Sequence, residues 1–224
     1  MNRSFRSVLC VAGLIAAIPA QCAVYNIVDF GAKGDGTTEN TDFIQAAINT
    51  ANANQLGTVL VPAGTFLSGT IEIKSGVTLR IDKGTTIKGT TNYTTYSPIS
   101  PGYQSFLTRP DFYPERVFIY AKDAHDVAIT GSGTIDGNGK APPLNFGKGF
   151  DTAGRLKSIN EIRFIKCTNV RIEGDNPQSM LEVKGSSHWA VQPLNCDGVH
   201  IQYVHINNIE VQAKLLTPIK SALP

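Results

Sequence analysis

A chain of 224 residues, 42% hydrophobic and 17% charged, is long enough for one domain with a sizeable core. Twenty Lys and Arg against 18 Asp and Glu give a formal charge of +2 with no basic block, which argues against nucleic acid as a partner. Of four cysteines, Cys10 and Cys22 lie in or beside an N-terminal leader, and the other two make no disulfide framework. His125, His188, His200 and His205 are too scattered for zinc-ligand spacing, so no metal site and no cofactor are expected.

In chain order, residues 1–22 read as a secretory signal peptide. Arg3 and Arg6 precede an uncharged apolar run from Ser7 to Pro19, and small residues follow at Ala20, Cys22 and Ala23. The run is shorter than the roughly 20 residues of a membrane span. A lipoprotein reading through Cys22 is weaker, because Gln21 stands where a small residue is expected. The protein is therefore expected to be secreted or periplasmic, with no membrane contact after cleavage. Loss of Arg3 and Arg6 leaves it near neutral.

A short β-rich stretch from Val24 to Phe30 leads into turn residues at Gly31–Thr38. Gly31–Gly36 is no phosphate loop, since no Gly-Lys-Ser/Thr follows. Phe43, Ala46, Ala47, Ile48 and Ala51 then fall on roughly one helical face, with Asn40 or Thr41 as N-cap. Beyond Gly57 the chain reads as short strands separated by Gly, Asp, Asn and Ser.

Those strands repeat. Ser75–Leu79, His125–Ile129, Thr168–Ile172 and Asp197–Ile201 each place two polar or small residues before an apolar–any–apolar triplet. The central valines, 77, 127, 170 and 199, lie 50, 43 and 29 residues apart. The last gap fits one coil of a parallel β-helix, and the earlier two fit two coils each. Such periods mark coils that bury their apolar faces by stacking. A β-sandwich is the alternative, but Asn138-Gly139 is the single Asn-Gly hairpin signal in this region. Cys167 and Cys196 each precede their valine by three residues. Stacked coils are about 4.8 Å apart, but stacked side chains point the same way, so two buried free thiols are expected.

The stretches Val28–Thr41, Val61–Gly69, Leu79–Ile87, Ile119–Ala121, Ile129–Gly139 and Ser187–Pro193 together resemble the pectin-lyase-like superfamily. Gly-Thr-Ile-Asp-Gly-Asn-Gly at 133–139 and Ser-His-Trp at 187–189 resemble the polygalacturonases in particular. The resemblance runs to about Val211. It implies an all-β fold, a single-stranded right-handed parallel β-helix with a short N-terminal capping helix, over residues 23–212. It also implies hydrolysis of α-1,4-galacturonan in pectin with inversion, so the expected partner is a polysaccharide. Inversion needs two carboxyls about 6.5–9.5 Å apart. The family carries them in Asn-Thr-Asp-Gly and Gly-Asp-Asp, followed by Gly-His-Gly and Arg-Ile-Lys, and none of the four occurs in this sequence.

Residues 213–224 are accordingly expected to be an unrelated tail, the helix C-terminally incomplete and the chain inactive, with no catalytic residue to assign. A solenoid without its final cap is expected to be a monomer prone to aggregation. Two near-misses fail: Gly174-Asp175-Asn176 has an amide for the second carboxylate, and Asn40-Thr41-Asp42-Phe43 opens the capping helix. Residues 174–186 are longer than the family's usual link to its tryptophan strand. Asp136 is expected to bond local backbone amides. Trp189 is a candidate sugar-stacking residue, although its place on an inward-alternating strand favours the core. Asn92-Tyr93-Thr94 is a glycosylation acceptor if the host glycosylates.

Overall fold

The computed structural model describes residues 23–103, 115–139 and 158–207. The expected leader, the tail at 213–224 and the boundary at 212 lie outside the described residues. Within them the chain winds as a right-handed parallel β-helix.

The first coil contains β1 (Ala23–Asn26), a 3-10 turn (Ile27–Phe30) and β2 (Asp35–Glu39), and then gives way to helix α1 (Thr41–Ala53). The second is β3 (Gly57–Val61), β4 (Gly64–Ser68) and β5 (Ile71–Glu72). The third is β6 (Val77–Ile81), β7 (Thr85–Gly89) and β8 (Val117–Lys122), and the fourth β9 (His125–Gly131), β10 (Thr134–Asp136) and β11 (Asn160–Ile165). The fifth is β12 (Thr168–Glu173), β13 (Leu181–Lys184) and β14 (Val191–Leu194), and the last described strands are β15 (Asp197–Gln202) and β16 (Val204–Asn207).

Equivalent strands stack in register into three parallel sheets. Sheet A runs β1-β3-β6-β9-β12-β15, sheet B β2-β4-β7-β10-β13-β16, and sheet C β5-β8-β11-β14. Alternation turns one side chain in two inward, so each sheet contributes a continuous apolar ladder. Val59, Leu79, Ile129, Ile172 and Ile201 stack along sheet A. Phe66, Ile87, Ile135, Val183 and Ile206 do so along sheet B. Ile71, Ile119, Ile162 and Val191 complete the wall from sheet C.

This register corrects the spacing argument. β6 pairs directly with β9, and β9 with β12, so the 50- and 43-residue gaps are single coils. Their extra length lies in excursions between β7 and β8 and between β10 and β11. Likewise, residues 174–186 hold β13 and keep the coil in register with β10 and β16.

α1 covers the first coil with Ile44, Ala47, Ile48 and Ala51, whereas Ala46 is exposed. The face is rotated because Ile44, a turn before Ile48, carries more apolar surface than Ala46. Asn40 holds the N-cap position without a side-chain capping bond. Its buried amide instead accepts from Lys33 N–H at 2.7 Å and donates to the carbonyls of Lys33, Thr38 and Leu67, tying the turn to the second coil.

The polar residue before each repeated valine has a structural cause. Gly76, Asp126, Asn169 and Gly198 all have positive φ, at 73°, 53°, 53° and 64°. They form a left-handed column that Gly, Asn and Asp tolerate. Asn169 Nδ2 donates to Asp126 Oδ1 on the neighbouring coil. A Cβ at Gly198 would stand 3.5 Å from Asn169 N, in ordinary contact. Gly198→Asn should therefore extend the ladder, its added hydrogen bond offsetting the cost of a side chain at positive φ, and leave stability within about 0.5 kcal/mol of wild type, read from urea midpoints.

Candidate functional site

Sheet C differs from the other two on its outward side. Every residue of β11 is buried, both the inward Ile162 and Phe164 and the outward Glu161, Arg163 and Ile165. The covering is partly the excursion after β7. Thr70 Oγ1 donates to the Val117 carbonyl at 2.6 Å and accepts from Ser97 N–H at 2.7 Å, pinning the excursion at its base. Tyr96 is buried edge-on to Phe118, their centroids 6.0 Å apart, and its hydroxyl donates to the Thr90 carbonyl. Arg116 lies 4.5 Å over the Tyr93 ring and donates to the Tyr96 carbonyl.

The register of sheet C aligns Glu72, Tyr120, Arg163 and Gln192 in one outward rank. Arg163 Nε donates to Gln192 Oε1 at 2.8 Å, and its Nη1 reaches the Ile99 and Glu115 carbonyls at 3.4 Å. Burial lowers the Arg163 pKa to about 10, so it stays cationic at neutral pH. Burial, with Glu72 beside it, raises Tyr120 to about 12. A cavity of about 400 Å³ opens beside this rank, lined by Glu72, Pro98, Ile99, Ser100, Tyr120, Lys122 and Asp123. Lys122 Nζ donates to the Ser100 carbonyl at 2.9 Å on its rim.

Glu161 lies two residues before Arg163, at the corner between sheets B and C. Its Oε1 accepts from the Gly137 N–H at 3.0 Å. Burial pushes its pKa well above the usual carboxylate range; Gly137 pulls the other way, and the Asp136 charge adds to the rise. Burial therefore favours the protonated form of Glu161, which can donate as well as accept. Its Oε2, Gln192 Nε2 and Arg116 Nε are buried without a hydrogen-bond partner among the described residues. Buried polar atoms are nearly always paired, so three such atoms around one face mark it as built for a hydrogen-bonding guest or ordered water.

His188 and Trp189 flank the corner. His188 Nδ1 lies 3.3 Å from Asn160 Oδ1, and burial together with the Arg163 charge lowers its pKa to about 4. Trp189 is half-buried and edge-on to His188, and its carbonyl accepts from Glu161 N–H at 2.9 Å. It precedes β14 rather than lying on a strand, which corrects the expectation of an inward-alternating position. Trp189 is thus at the edge of the polar face of sheet C, beside Glu161.

The other residues singled out in the sequence do not gather at this face as a reactive pair. Asp136 accepts from the Asn138 amide at 2.9 Å, the local role its turn setting implies. Asp175 pairs with Arg80 at 2.7 Å on the side of sheet A. Asp42 is exposed in the first turn of α1. Cys167 is buried and Cys196 only half-buried, both as free thiols, so burial of the second is overturned. Sequence reasoning missed Glu161, Arg163 and Gln192. A signal was present: two charged residues alternate with Ile162 and Phe164 in a strand whose opposite face must also be covered.

The model of the rhamnogalacturonase A/epimerase, pectate lyase-like family matches residues 24–210. An exo-poly-α-D-galacturonosidase of Dickeya chrysanthemi is 36% identical over 126 residues, 52% of this chain and 20% of that protein. An exopolygalacturonase of Arabidopsis thaliana is 29% identical over 213 residues, 92% of this chain and 42% of that protein. The crystal structure of a hyperthermoactive exopolygalacturonase from Thermotoga maritima superposes with a TM-score of 0.65 at 25% identity, covering 86% of this chain and 48% of that one. The chain thus spans less than half the length of each of these relatives. With the family match running through every described coil, the chain belongs to the rhamnogalacturonase A/epimerase, pectate lyase-like family.

Proposed function

We propose that this chain binds the α-1,4-galacturonan of pectin along the outward face of sheet C, as the coils of a polygalacturonase-type glycoside hydrolase. The observation that carries the reading is the cavity of about 400 Å³ beside the polar rank of that face, lined by Glu72, Ser100, Tyr120, Lys122 and Asp123. A galacturonan is a chain of hydroxyls and carboxylates. Lys122, on the rim of the cavity, supplies positive charge for its carboxylates. The relatives whose names state pectin chemistry support the substrate class.

Hydrolysis by these 224 residues alone is not expected, because Asn-Thr-Asp-Gly and Gly-Asp-Asp do not occur in them. Export is part of the proposal and rests on the leader at residues 1–22; among the described residues no helix is long and apolar enough to cross a membrane. A monomeric state is likewise part of the proposal.

Calorimetry with trigalacturonate, run beside a reducing-end assay on polygalacturonate, tests the reading. Saturable heat without reducing ends is the expected result. Turnover above a heat-killed control would overturn the inactivity, and no heat at millimolar ligand would overturn binding.

A further inference from the structure

The turn between sheets C and A carries the two thiols in register. Ile165 pairs with Leu194 and Thr168 with Asp197, so Cys167 lies beside Cys196 on adjacent coils. Backbone bonds hold both sides of this step, from Lys166 N–H to the Leu194 carbonyl and from Asp197 N–H to the Cys167 carbonyl, each 2.9 Å. Cys167 N–H points at Cys196 Sγ, 3.5 Å away. Each thiol donates to the carbonyl two residues before it, at 3.3 Å for Cys167 and 3.5 Å for Cys196. The two side chains are therefore parallel, one coil rise apart.

That geometry separates two kinds of thiol chemistry. A disulfide wants Cβ atoms about 3.5–4.5 Å apart and a sulfur–sulfur bond of about 2.05 Å, so parallel side chains must swing together. Strand spacing within a sheet is about 4.7–4.9 Å. Two metal–thiolate bonds of about 2.3 Å placed in line span nearly that distance with little movement. No group of three or more His, Cys, Asp or Glu that could hold a metal occurs among the described residues, so the four-ligand shell of zinc is not offered.

We propose that Cys167 and Cys196 bracket a single soft monovalent cation of the Cu(I) class, held linearly between neighbouring coils. Thiolates select such ions. Cys196 is half-buried and gives the ion its entry, while Cys167 closes the site from the core. Both thiols lose their protons as two sulfur–metal bonds form, leaving a bis-thiolate complex with one negative charge and releasing two protons to solvent. Each proton leaves as its sulfur bonds the ion.

The test uses the full chain with Cys10→Ala and Cys22→Ala, titrated anaerobically with Cu(I) supplied as its bicinchoninate complex. One equivalent should transfer to the protein, and X-ray absorption should show two sulfur neighbours. Cys167→Ala or Cys196→Ala should each weaken binding by about 100-fold or more, the advantage of a second tethered ligand. Cys196→Ala alters only a half-buried side chain, so it carries the test even if the Cys167 variant misfolds. Two independent equivalents, or one equivalent unaffected by Cys196→Ala, would overturn the proposal.

Discussion

Glu161→Gln should raise stability by about 1.4 kcal/mol for each pH unit above about 4.3, until the folded pKa of the glutamate is reached. The glutamate is fully buried, and one of its oxygens has no partner among the described residues. An unfolded glutamate releases its proton near pH 4.3, whereas the folded one keeps its proton because burial pushes its pKa well above that. Between those two values the folded state binds one more proton than the unfolded state. Stability contributed by Glu161 is therefore complete below about pH 4.3 and falls as pH rises toward the folded pKa. Glutamine is neutral throughout, and its carbonyl can still accept from Gly137 N–H. Urea midpoints of wild type and variant across pH 5–8 should diverge steadily as pH rises. Parallel curves would mean that Glu161 is already ionised in the fold.

Gly131→Ala should abolish the folded state, at a cost beyond about 4 kcal/mol. Gly131 ends β9 with φ of 116°, a conformation that L side chains rarely adopt. A Cβ there would stand 2.0 Å from the Ile81 carbonyl oxygen and 2.8 Å from its carbon. Both are backbone atoms of the stacked strand β6, which sheet A holds on both sides, so neither can step away. Gly198→Asn is the matched control, since it occupies positive φ in open surroundings. Comparing soluble yield and far-UV circular dichroism of the two variants should give loss for Gly131→Ala and a wild-type signal for Gly198→Asn. A folded Gly131→Ala would show that the coils can part locally.

The ladder positions were legible in the sequence because the turn chemistry and the apolar triplet recur together. Val127, Val170 and Val199, with the small or polar residues before them, define the first strand of each coil without any contact information. Counting the coils failed because a β-helix keeps its stacking register while excursions of any length leave at its corners. The 50-residue gap therefore looked like two turns. The polar face of sheet C was harder still. Glu161 and Arg163 look like solvent-facing alternation, and only the excursion carrying Tyr96 and Ile99 reveals that this side is covered. Trp189 drew notice as an aromatic, but its place beside Glu161 comes from the pairing of β11 with β14.

The same burial that makes this face unusual also orders its electrostatics. His188 is held neutral by burial and by Arg163, and burial likewise pushes Glu161 toward its neutral form. Arg163 remains the charged group at the centre of the rank, anchored to Gln192 and to the carbonyls of the covering excursion. A polyanionic sugar chain in the adjoining cavity would meet Lys122 on its rim, with Arg163 behind it as a fixed buried cation.

Hydrogen–deuterium exchange with and without trigalacturonate tests the central assignment of sheet C most directly. Added protection should concentrate in β8, β11 and β14 and in residues 96–103, with sheets A and B unchanged. Protection confined to the outward strands of sheet A or sheet B would contradict it.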